Sequence, residues 1–394
     1  MPWLLSASTL WFSGYALLLP VAPLWAIRGG GGSLGAGLVT AVMMACTVLG
    51  QLSMQRVLAG LGWHRTLVLG SVLLGLPALG LLASDALWVI TALSALRGLG
   101  FGVVTVCGAT AVAAFVPPAR RGRAIGAYGL ALAAPQCVLL PLAPFLAERV
   151  GFRPVFILAV LPALAIPLTG AIARAIDHSD RALAAGPAQR SAPASGPSPA
   201  LRRVLPGPLA ALAVITAAGG AVLTFTPDIL TGALGVAGLL AFTVAAAACR
   251  WRAGGIADRI GPAVAIAPLL FTGAAGLVII GLGADDARGS LSRGLVIAGL
   301  LLSGAAYGGL QNLTLTQAFA VAGEAARSSV SVAWNLSFDA GTGVGALAAG
   351  AIAAATSYEA AFIVLAVAAA AVGVSWARPA QPGLSRRARR SGPS

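Results

Sequence analysis

Arg97 is the residue in this sequence best placed to do chemistry, because it is a charged side chain inside a long apolar stretch. It stands in residues 93–102 (LSALRGLGFG), within an apolar, glycine-rich run over 86–116 that is long enough to cross about 30 Å of hydrocarbon. A guanidinium keeps its proton, and placing one at membrane depth costs at least about 2.5 kcal/mol. We therefore predict that Arg97 faces a bundle interior or a wet cavity. The alternative is a structural cap on open backbone carbonyls.

Asp339 is the acid that could act with Arg97. It lies about twelve residues into another apolar stretch, which is near mid-membrane at about 1.5 Å per residue. An acid in that position is predicted to bind a proton or contact substrate, and to communicate with Arg97. The alternative is a polar contact between helices that only aids packing.

Uncharged polar and aromatic side chains on several apolar stretches could complete a substrate cavity. The candidates are the amides Gln136, Gln311, Asn312 and Asn335, and the aromatic residues Trp11, Tyr15 and Trp334. The amides could instead bridge helices, at roughly 0.6 kcal/mol each, and the aromatic residues could pack against other helices or lipid.

The sequence indicates neither an enzyme nor a metalloprotein. Its four cysteines have no CxxC spacing, so neither disulfides nor a metal site are expected. It contains no phosphate-binding loop of the Walker type and no Ser/His/Asp cluster, so ATP-driven or catalytic chemistry is not expected. We predict no cofactor, no metal and no catalytic residue.

The composition predicts an integral membrane protein. Hydrophobic residues make up 58% of the chain and charged residues only 9%, with a mean hydropathy of +0.92. A soluble domain carries roughly 25% charged residues. The net charge of +14 comes from arginines in short loops and the carboxyl-terminal tail, which is typical of membrane topology signals. Membrane lipids are therefore expected partners, and nucleic acid is not.

About twelve apolar stretches of roughly 20 residues predict an all-α protein with twelve membrane spans. The first begins near Leu4 without the basic region of a signal peptide, so it is predicted to be a membrane helix. Residues 1–176 are predicted to form an N-terminal six-helix bundle and residues 206–377 a C-terminal one. Residues 177–205 are predicted to be a cytoplasmic linker, and residues 378–394 a basic cytoplasmic tail.

The arginines predict the orientation. If the amino terminus is cytoplasmic, nineteen of the 25 arginines fall on the cytoplasmic side, five fall outside and Arg97 stays in the membrane. This distribution follows the positive-inside rule, and the opposite orientation would violate it. Both termini are therefore predicted to be cytoplasmic.

The two halves resemble each other. Arg97–Gly102 aligns with Ser303–Gly308 at an offset of 206 residues, and residues 152–156 align with 358–362 at the same offset. Such repeats predict parallel six-helix halves around a central cavity. The second half has a serine where the first has Arg97, which suggests that the first half carries the coupling.

A loop motif resembles that of a known family. Gly254-Gly-Ile-Ala-Asp-Arg-Ile-Gly261 resembles the cytoplasmic loop signature of the major facilitator superfamily of secondary transporters, and it assigns a gating role to Gly254, Asp258, Arg259 and Gly261. The matching first-half stretch, residues 55–62, keeps Gly62, and Arg65 follows it. It has Gln55, Ala59 and Gly60 where the motif has Gly, Asp and Arg, so the second-half loop is expected to carry more of the gating.

Residues 93–102 resemble the fourth-helix motif of the same superfamily, whose arginine is implicated in proton coupling in drug and metabolite antiporters. The fifth-helix antiporter motif is matched only in part, by Gly126, Gly129 and Ala134-Pro135. The resemblance covers nearly the whole chain and is nearest to the twelve-helix drug and metabolite efflux branch.

This resemblance implies two pseudo-symmetric six-helix bundles and a monomeric transporter of the cytoplasmic membrane. The implied activity is alternating-access transport of a small apolar or amphipathic compound, as proton-coupled efflux, with the substrate and protons as partners. One alternative is an uptake permease for a sugar, amino acid or organic acid. The alternative from another class is a non-transporting membrane sensor or scaffold.

Overall fold

The computed structural model describes residues 1–115, 121–185, 205–285, 289–322 and 326–377, and these residues are almost entirely helical. The predicted tail 378–394 lies outside this part of the chain, as do residues 186–204 of the predicted linker. The beginning of that linker is helical, because the sixth span continues as a helix through Ala185.

The N-terminal half contains six α-helices with short segments of other helix types between them. The α-helices are α1 (Pro2–Ala26), α2 (Gly32–Gly75), α3 (Leu87–Phe115), α4 (Arg121–Arg149), α5 (Phe152–Leu158) and α6 (Ile166–Ala185). A π-helical segment at Ile27–Gly31 joins α1 to α2, and 3-10 segments at Leu76–Leu82 and Leu161–Ala165 follow α2 and α5.

Two glycines divide the first helical stretch into three membrane passes. Pro2–Leu82 is 81 residues long, and at about 1.5 Å per residue it would reach about 120 Å if it were straight. Its helical geometry is interrupted at Gly30, with φ 85°, and at Gly62, with φ 71°. The chain turns back at these points, since Trp25 Nε1 at the end of α1 donates to the Ser84 carbonyl oxygen after the third pass, at 3.2 Å.

The C-terminal half contains one α-helix for each span. These helices are α7 (Pro206–Ile229), α8 (Gly232–Ile260), α9 (Pro262–Ala284), α10 (Ser290–Ala322), α11 (Arg327–Ala355) and α12 (Tyr358–Ala377). Across the described ranges, 10 helical stretches are long and apolar enough to cross a membrane, and the first of them makes three passes. The predicted all-α membrane fold with twelve spans in two six-helix bundles is confirmed.

The two halves use the same helix packing. Glycines of α3 and α10 touch the backbone of a neighbouring helix, and a Cβ at any of them would overlap the facing carbonyl. The pairs are Gly98 with Met43, Gly102 with Thr47, Gly304 with Phe242 and Gly308 with Ala246. Each glycine of α10 stands 206 positions after the equivalent glycine of α3. Its contact partner stands 199 positions after the equivalent partner in the first half. The sequence repeat is therefore also a structural repeat.

The halves meet along α2 and α11. We call the side of the bundle that carries Met1 the terminal face, and the side that carries the Ile27–Gly31 turn the far face. The contacts of α2 with α11 pair Ser33 with Gly350, Gly37 with Ala346 and Met44 with Gly343. In addition, Thr40 Oγ1 of α2 lies 3.0 Å from Thr224 Oγ1 of α7. At the far face the Gly232 amide also donates to Glu148 Oε2 at 2.7 Å. These contacts run from the far face to the middle of the bundle.

Candidate functional site

Asp339 lies at the junction of the two halves. It is the thirteenth of the 29 residues of α11, and only 6% of its surface is exposed. Its Oδ2 accepts a hydrogen bond from Gln51 Nε2 of the opposite half at 2.7 Å. Small residues next to Asp339 allow this placement, because Gly341 lies against α7 and Gly343 lies against α2. The buried carboxyl group thus links the two bundles.

Two tyrosines, one from each half, lie near this carboxyl group. Tyr15 of α1 and Tyr307 of α10 each interact electrostatically with Asp339, and Tyr15 also does so with Tyr307. Tyr15 stacks on Phe101 with ring centroids 4.0 Å apart, and Tyr307 packs at 6.2 Å against Phe338. Asp339 is therefore flanked by aromatic surface from both bundles.

Arg97 is buried in the N-terminal half and bonds to backbone carbonyls. It is 1% exposed, its Nη2 donates to the Gly14 oxygen at 2.9 Å, and its Nε donates to the Leu74 oxygen at 3.2 Å. Leu74 comes just before α2 gives way to the 3-10 segment, where Pro77 supplies no N–H to the preceding turn. The structural alternative for Arg97, a cap on open carbonyls, therefore describes these two contacts.

Two observations connect Arg97 to the site as well. Its third guanidinium nitrogen, Nη1, is buried and has no hydrogen-bond partner in the described part of the chain. Tyr15 interacts electrostatically with both Arg97 and Asp339. The hydrogen bonds of Asp339 and Arg97 go to other groups, and Tyr15 lies close enough to interact electrostatically with both.

A second arginine lies on the other side of the site. Arg250 Nη1 donates to Gln311 Oε1 at 2.9 Å, and Gln311 is one helical turn beyond Tyr307 on α10. Arg250 and Tyr307 also interact electrostatically. The site therefore contains an acid between two tyrosines, with one arginine beyond each tyrosine.

Sequence comparison gives the family. The family model described as Major Facilitator Superfamily matches residues 4–338. This chain belongs to the major facilitator superfamily. It is accordingly a multi-pass membrane protein from a family of transporters, and the family points away from an enzyme.

The similar proteins agree with this family. Uncharacterised MFS-type transporters from Pseudomonas aeruginosa strains LESB58, UCBPP-PA14 and PAO1 are each 36% identical to this chain over 96 residues. That match spans 24% of this chain and 24% of each relative. Among solved structures, a mutant of the nucleoside transporter NupG aligns with 95% of this chain and 98% of its own, with a TM-score of 0.70 at 9% identity. A second NupG structure gives a TM-score of 0.66 at 8% identity, over 95% of this chain and 97% of its own. At such identities the likeness concerns the fold alone.

The two loop motifs of this superfamily member contain equivalent turns. Gly62 has φ 71° and Gly261 has φ 84°, a left-handed region that favours glycine, and the two glycines are related by the same 199-residue offset as the packing partners above. Arg65, Asp258 and Arg259 are exposed. Gly254 is half-buried within α8.

The structure keeps several predicted cavity residues within their own half. Gln136 Nε2 donates to the Leu132 oxygen at 3.0 Å, and Asn335 Nδ2 donates to the Ser331 oxygen at 2.8 Å, in each case within one helix. Asn312 Oδ1 accepts from Thr316 Oγ1, also within one helix, at 3.4 Å.

The two tryptophans also bond within their own bundles. Trp11 is 1% exposed and donates to Ser71 Oγ at 2.8 Å. Trp334 donates to Thr314 Oγ1 at 3.1 Å and stacks on Phe338 with ring centroids 5.6 Å apart. Trp334 therefore extends the aromatic surface beside Tyr307, whereas Trp11 packs inside the N-terminal bundle.

The sequence interpretation missed Gln51, Tyr307 and Arg250. It ended the eighth span at residue 250 and placed Arg250 in a loop, but α8 continues to Ile260 and holds Arg250 within the helix. A signal for Tyr307 was present, because the 206-residue repeat aligns it with Phe101. Gln51 carried no signal beyond being a lone amide in an apolar stretch.

A separate cavity of about 390 Å³ lies at the far face of the N-terminal half. Trp25, Arg28, Asp85, Phe152 and Arg153 are among its lining residues, and none of the predicted site residues lines it.

Proposed function

We propose that this transporter exports a small apolar or amphipathic compound across the cytoplasmic membrane in exchange for protons, by alternating access. The observation that carries this proposal is the carboxyl group of Asp339, buried at the junction and hydrogen-bonded to Gln51 of the other bundle at 2.7 Å. Ionisable residues inside a membrane are costly and mark ion or substrate pathways.

The bond between Asp339 and Gln51 suggests how a proton acts on the conformation. A hydrogen bond to an ionised carboxylate is roughly twice as strong as one between neutral groups. Protonation of Asp339 therefore weakens a link that crosses between the halves. A ligand shifts a conformational equilibrium only if it binds the two conformations with different affinity. The proton meets this condition, because its binding weakens the hydrogen bond between Gln51 and Asp339 in the conformation where the two residues touch.

The aromatic surfaces support the substrate class. Tyr15 packs with Phe101 in one half and Tyr307 packs with Phe338 in the other, so apolar aromatic rings of both halves lie near a single acid. Small-molecule sites of this kind bind an apolar body and orient it with a few polar groups. A compound seated between the tyrosines would compete with the proton at Asp339, as exchange requires.

The charge distribution supports the direction. In the predicted topology the terminal face is cytoplasmic, because most loop arginines lie there. The contacts of α2 with α11 extend from the far face to Gln51 and Asp339, and we propose that the carrier opens towards its terminal face. We also propose the predicted organisation for the whole chain, a monomer with bundles at 1–176 and 206–377, a cytoplasmic linker at 177–205 and a lipid-bound tail at 378–394.

Uptake of an organic acid is the second candidate, and Arg250 is the observation that favours it. A positive charge in the opening would attract an anion, and an anion near Asp339 would bind better when Asp339 is neutral. The proton and the anion would then travel in the same direction.

Transport into proteoliposomes under an imposed pH gradient tests the proposal. With a pH-sensitive dye inside the vesicles and a compound panel outside, we expect flux in which compound and protons move in opposite directions. Asp339→Asn should abolish gradient-driven flux while keeping gradient-independent exchange of labelled compound, because binding and alternation remain. Gradient-driven flux at the wild-type rate in Asp339→Asn would overturn the proton-coupling proposal. A wild-type protein that moves no compound of the panel in either assay would favour the sensor alternative.

A further inference from the structure

Arg250 is an exposed arginine beside Tyr307, one of the two tyrosines near Asp339. Tyr307 faces Tyr15 of the opposite half, and Gln311 lies one turn further along the same side of α10. The Arg250 guanidinium is hydrogen-bonded to Gln311, so it lies on the same side of α10 as Gln311. The Arg250 side chain is exposed. By contrast, Gln311 itself is only 5% exposed. The arginine is therefore the exposed member of this pair, and the amide that orients it is buried.

The positive charge of Arg250 has no acidic partner among the described residues. The neighbours that act on it are Gln311, through a hydrogen bond, and the Tyr307 phenol. Arg97 differs, because its guanidinium is almost fully buried on backbone carbonyls. A guanidinium has five N–H donors in a rigid fork that matches a carboxylate, and one nitrogen held by Gln311 leaves the others free for such a partner.

An aromatic surface lies beside this charge. Tyr307 contacts Phe338 at 6.2 Å, and Phe338 stacks on Trp334 at 5.6 Å. A ligand whose acidic group reached Arg250 would find aromatic rings next to it. This combination suits a molecule with an aromatic body and one carboxylate.

We propose that Arg250, oriented by Gln311, binds the carboxylate of an amphipathic aromatic acid that this protein transports. This assignment rests on the proposed transport site between the halves. If the carboxylate bound at Arg250 is taken up together with a proton, the second candidate, uptake of an organic acid, applies in place of export. Gln311 acts as a positioning residue, because it bonds to the guanidinium and is itself nearly buried.

Binding of matched charged and neutral probes to the purified full-length protein tests the assignment. The probes are benzoate, 2-naphthoate and anthracene-9-carboxylate, each paired with its carboxamide, which keeps the ring system but removes the charge. We expect the wild type to bind at least one carboxylate about 10-fold or more tightly than its amide, as expected for a charge-assisted hydrogen-bonded pair. Equal affinity for carboxylate and amide across the panel would overturn the proposal.

Variants assign the preference to a residue. Arg250→Gln should abolish the carboxylate preference and keep the amide affinity, which also shows that the variant is folded. Arg252→Gln is the matched control, since Arg252 is an exposed arginine on the same helix, and it should keep the preference. Gln311→Leu should reduce the preference although both arginines remain. Retention of the preference in Arg250→Gln, or an equal loss in Arg252→Gln, would contradict the assignment.

Failure of this assignment can be told apart from failure of proton coupling. In one outcome the wild type binds carboxylates and amides equally, and Asp339→Asn loses gradient-driven flux. The carboxylate site is then contradicted and the proposed coupling is not. In the other outcome the carboxylate preference depends on Arg250, and Asp339→Asn keeps the wild-type gradient-driven flux. The proposed coupling is then contradicted and the carboxylate site is not.

Discussion

Tyr15 is the residue that lies near both predicted charges of the site. Arg97 bonds to the Gly14 and Leu74 carbonyls, and Asp339 bonds to Gln51, yet Tyr15 interacts electrostatically with both. The sequence shows that Arg97 and Asp339 are unusual, because each is a charge in an apolar stretch. It cannot show what each contacts, because a partner such as Gln51 is 288 positions away from Asp339 and is an ordinary amide.

Tyr15→Phe isolates the contribution of the phenol. The substitution keeps the ring that stacks on Phe101 at 4.0 Å, so the thermal unfolding temperature should stay within a few degrees of wild type. It removes the hydroxyl between the two charges, so gradient-driven flux should fall. The matched variant is Tyr307→Phe, on the opposite side of Asp339. Wild-type flux in Tyr15→Phe would show that the phenol does not connect the charges.

Arg97→Ala should affect both transport and stability. The guanidinium supplies donors to two buried carbonyls, and leaving a buried polar group without a partner costs about 1–3 kcal/mol. We expect the unfolding temperature to fall and gradient-driven flux to be abolished, and Arg97→Lys should recover part of the stability. Thermal unfolding and flux are measured on the same preparation. A variant that keeps the wild-type flux would contradict the proposed role of Arg97.

At the scale of helices, glycine contacts determine where the halves touch. The membrane spans could be predicted because an apolar run of about 20 residues has the length that a helix needs to cross the hydrocarbon layer. The ends of the helices could not, since a helix continues beyond the hydrocarbon layer where polar residues are tolerated, as α8 does through Arg250. The close approach of α2 to α11 depends on glycines such as Gly37, which look like any other small residue in the sequence.

Gly37→Ala should weaken the contact at the far face. A Cβ at Gly37 would overlap the Ala346 carbonyl, so α2 and α11 must move apart there. This should favour conformations open at the far face, measured as faster labelling of a cysteine introduced at Ser33 by an impermeant reagent. Gly60→Ala is the control, because a Cβ at Gly60 meets nothing within 4 Å. Equal labelling in Gly37→Ala and Gly60→Ala would contradict the far-face closure.

At the scale of the whole molecule, the repeat is what the sequence predicts best. The 206-residue offset found in the sequence reappears in the packing glycines of α3 and α10, so two similar bundles follow from the chain itself. The functional site differs between the halves, with Arg97 in one and Asp339, Tyr307 and Arg250 in the other. The asymmetry is visible in the sequence, where Ser303 stands opposite Arg97. The contacts across the junction form only when the bundles are docked, which the sequence of either half does not describe.

The central claim is that a proton and the transported compound compete at Asp339, and proton release measures this directly. The compound found in the vesicle assay is added to purified protein in weakly buffered detergent solution, and the pH is followed. We expect the wild type to release protons on binding and Asp339→Asn, which has no carboxyl group at this position, to release none while still binding the compound. Proton uptake by the wild type, or equal proton release by Asp339→Asn, would contradict the account.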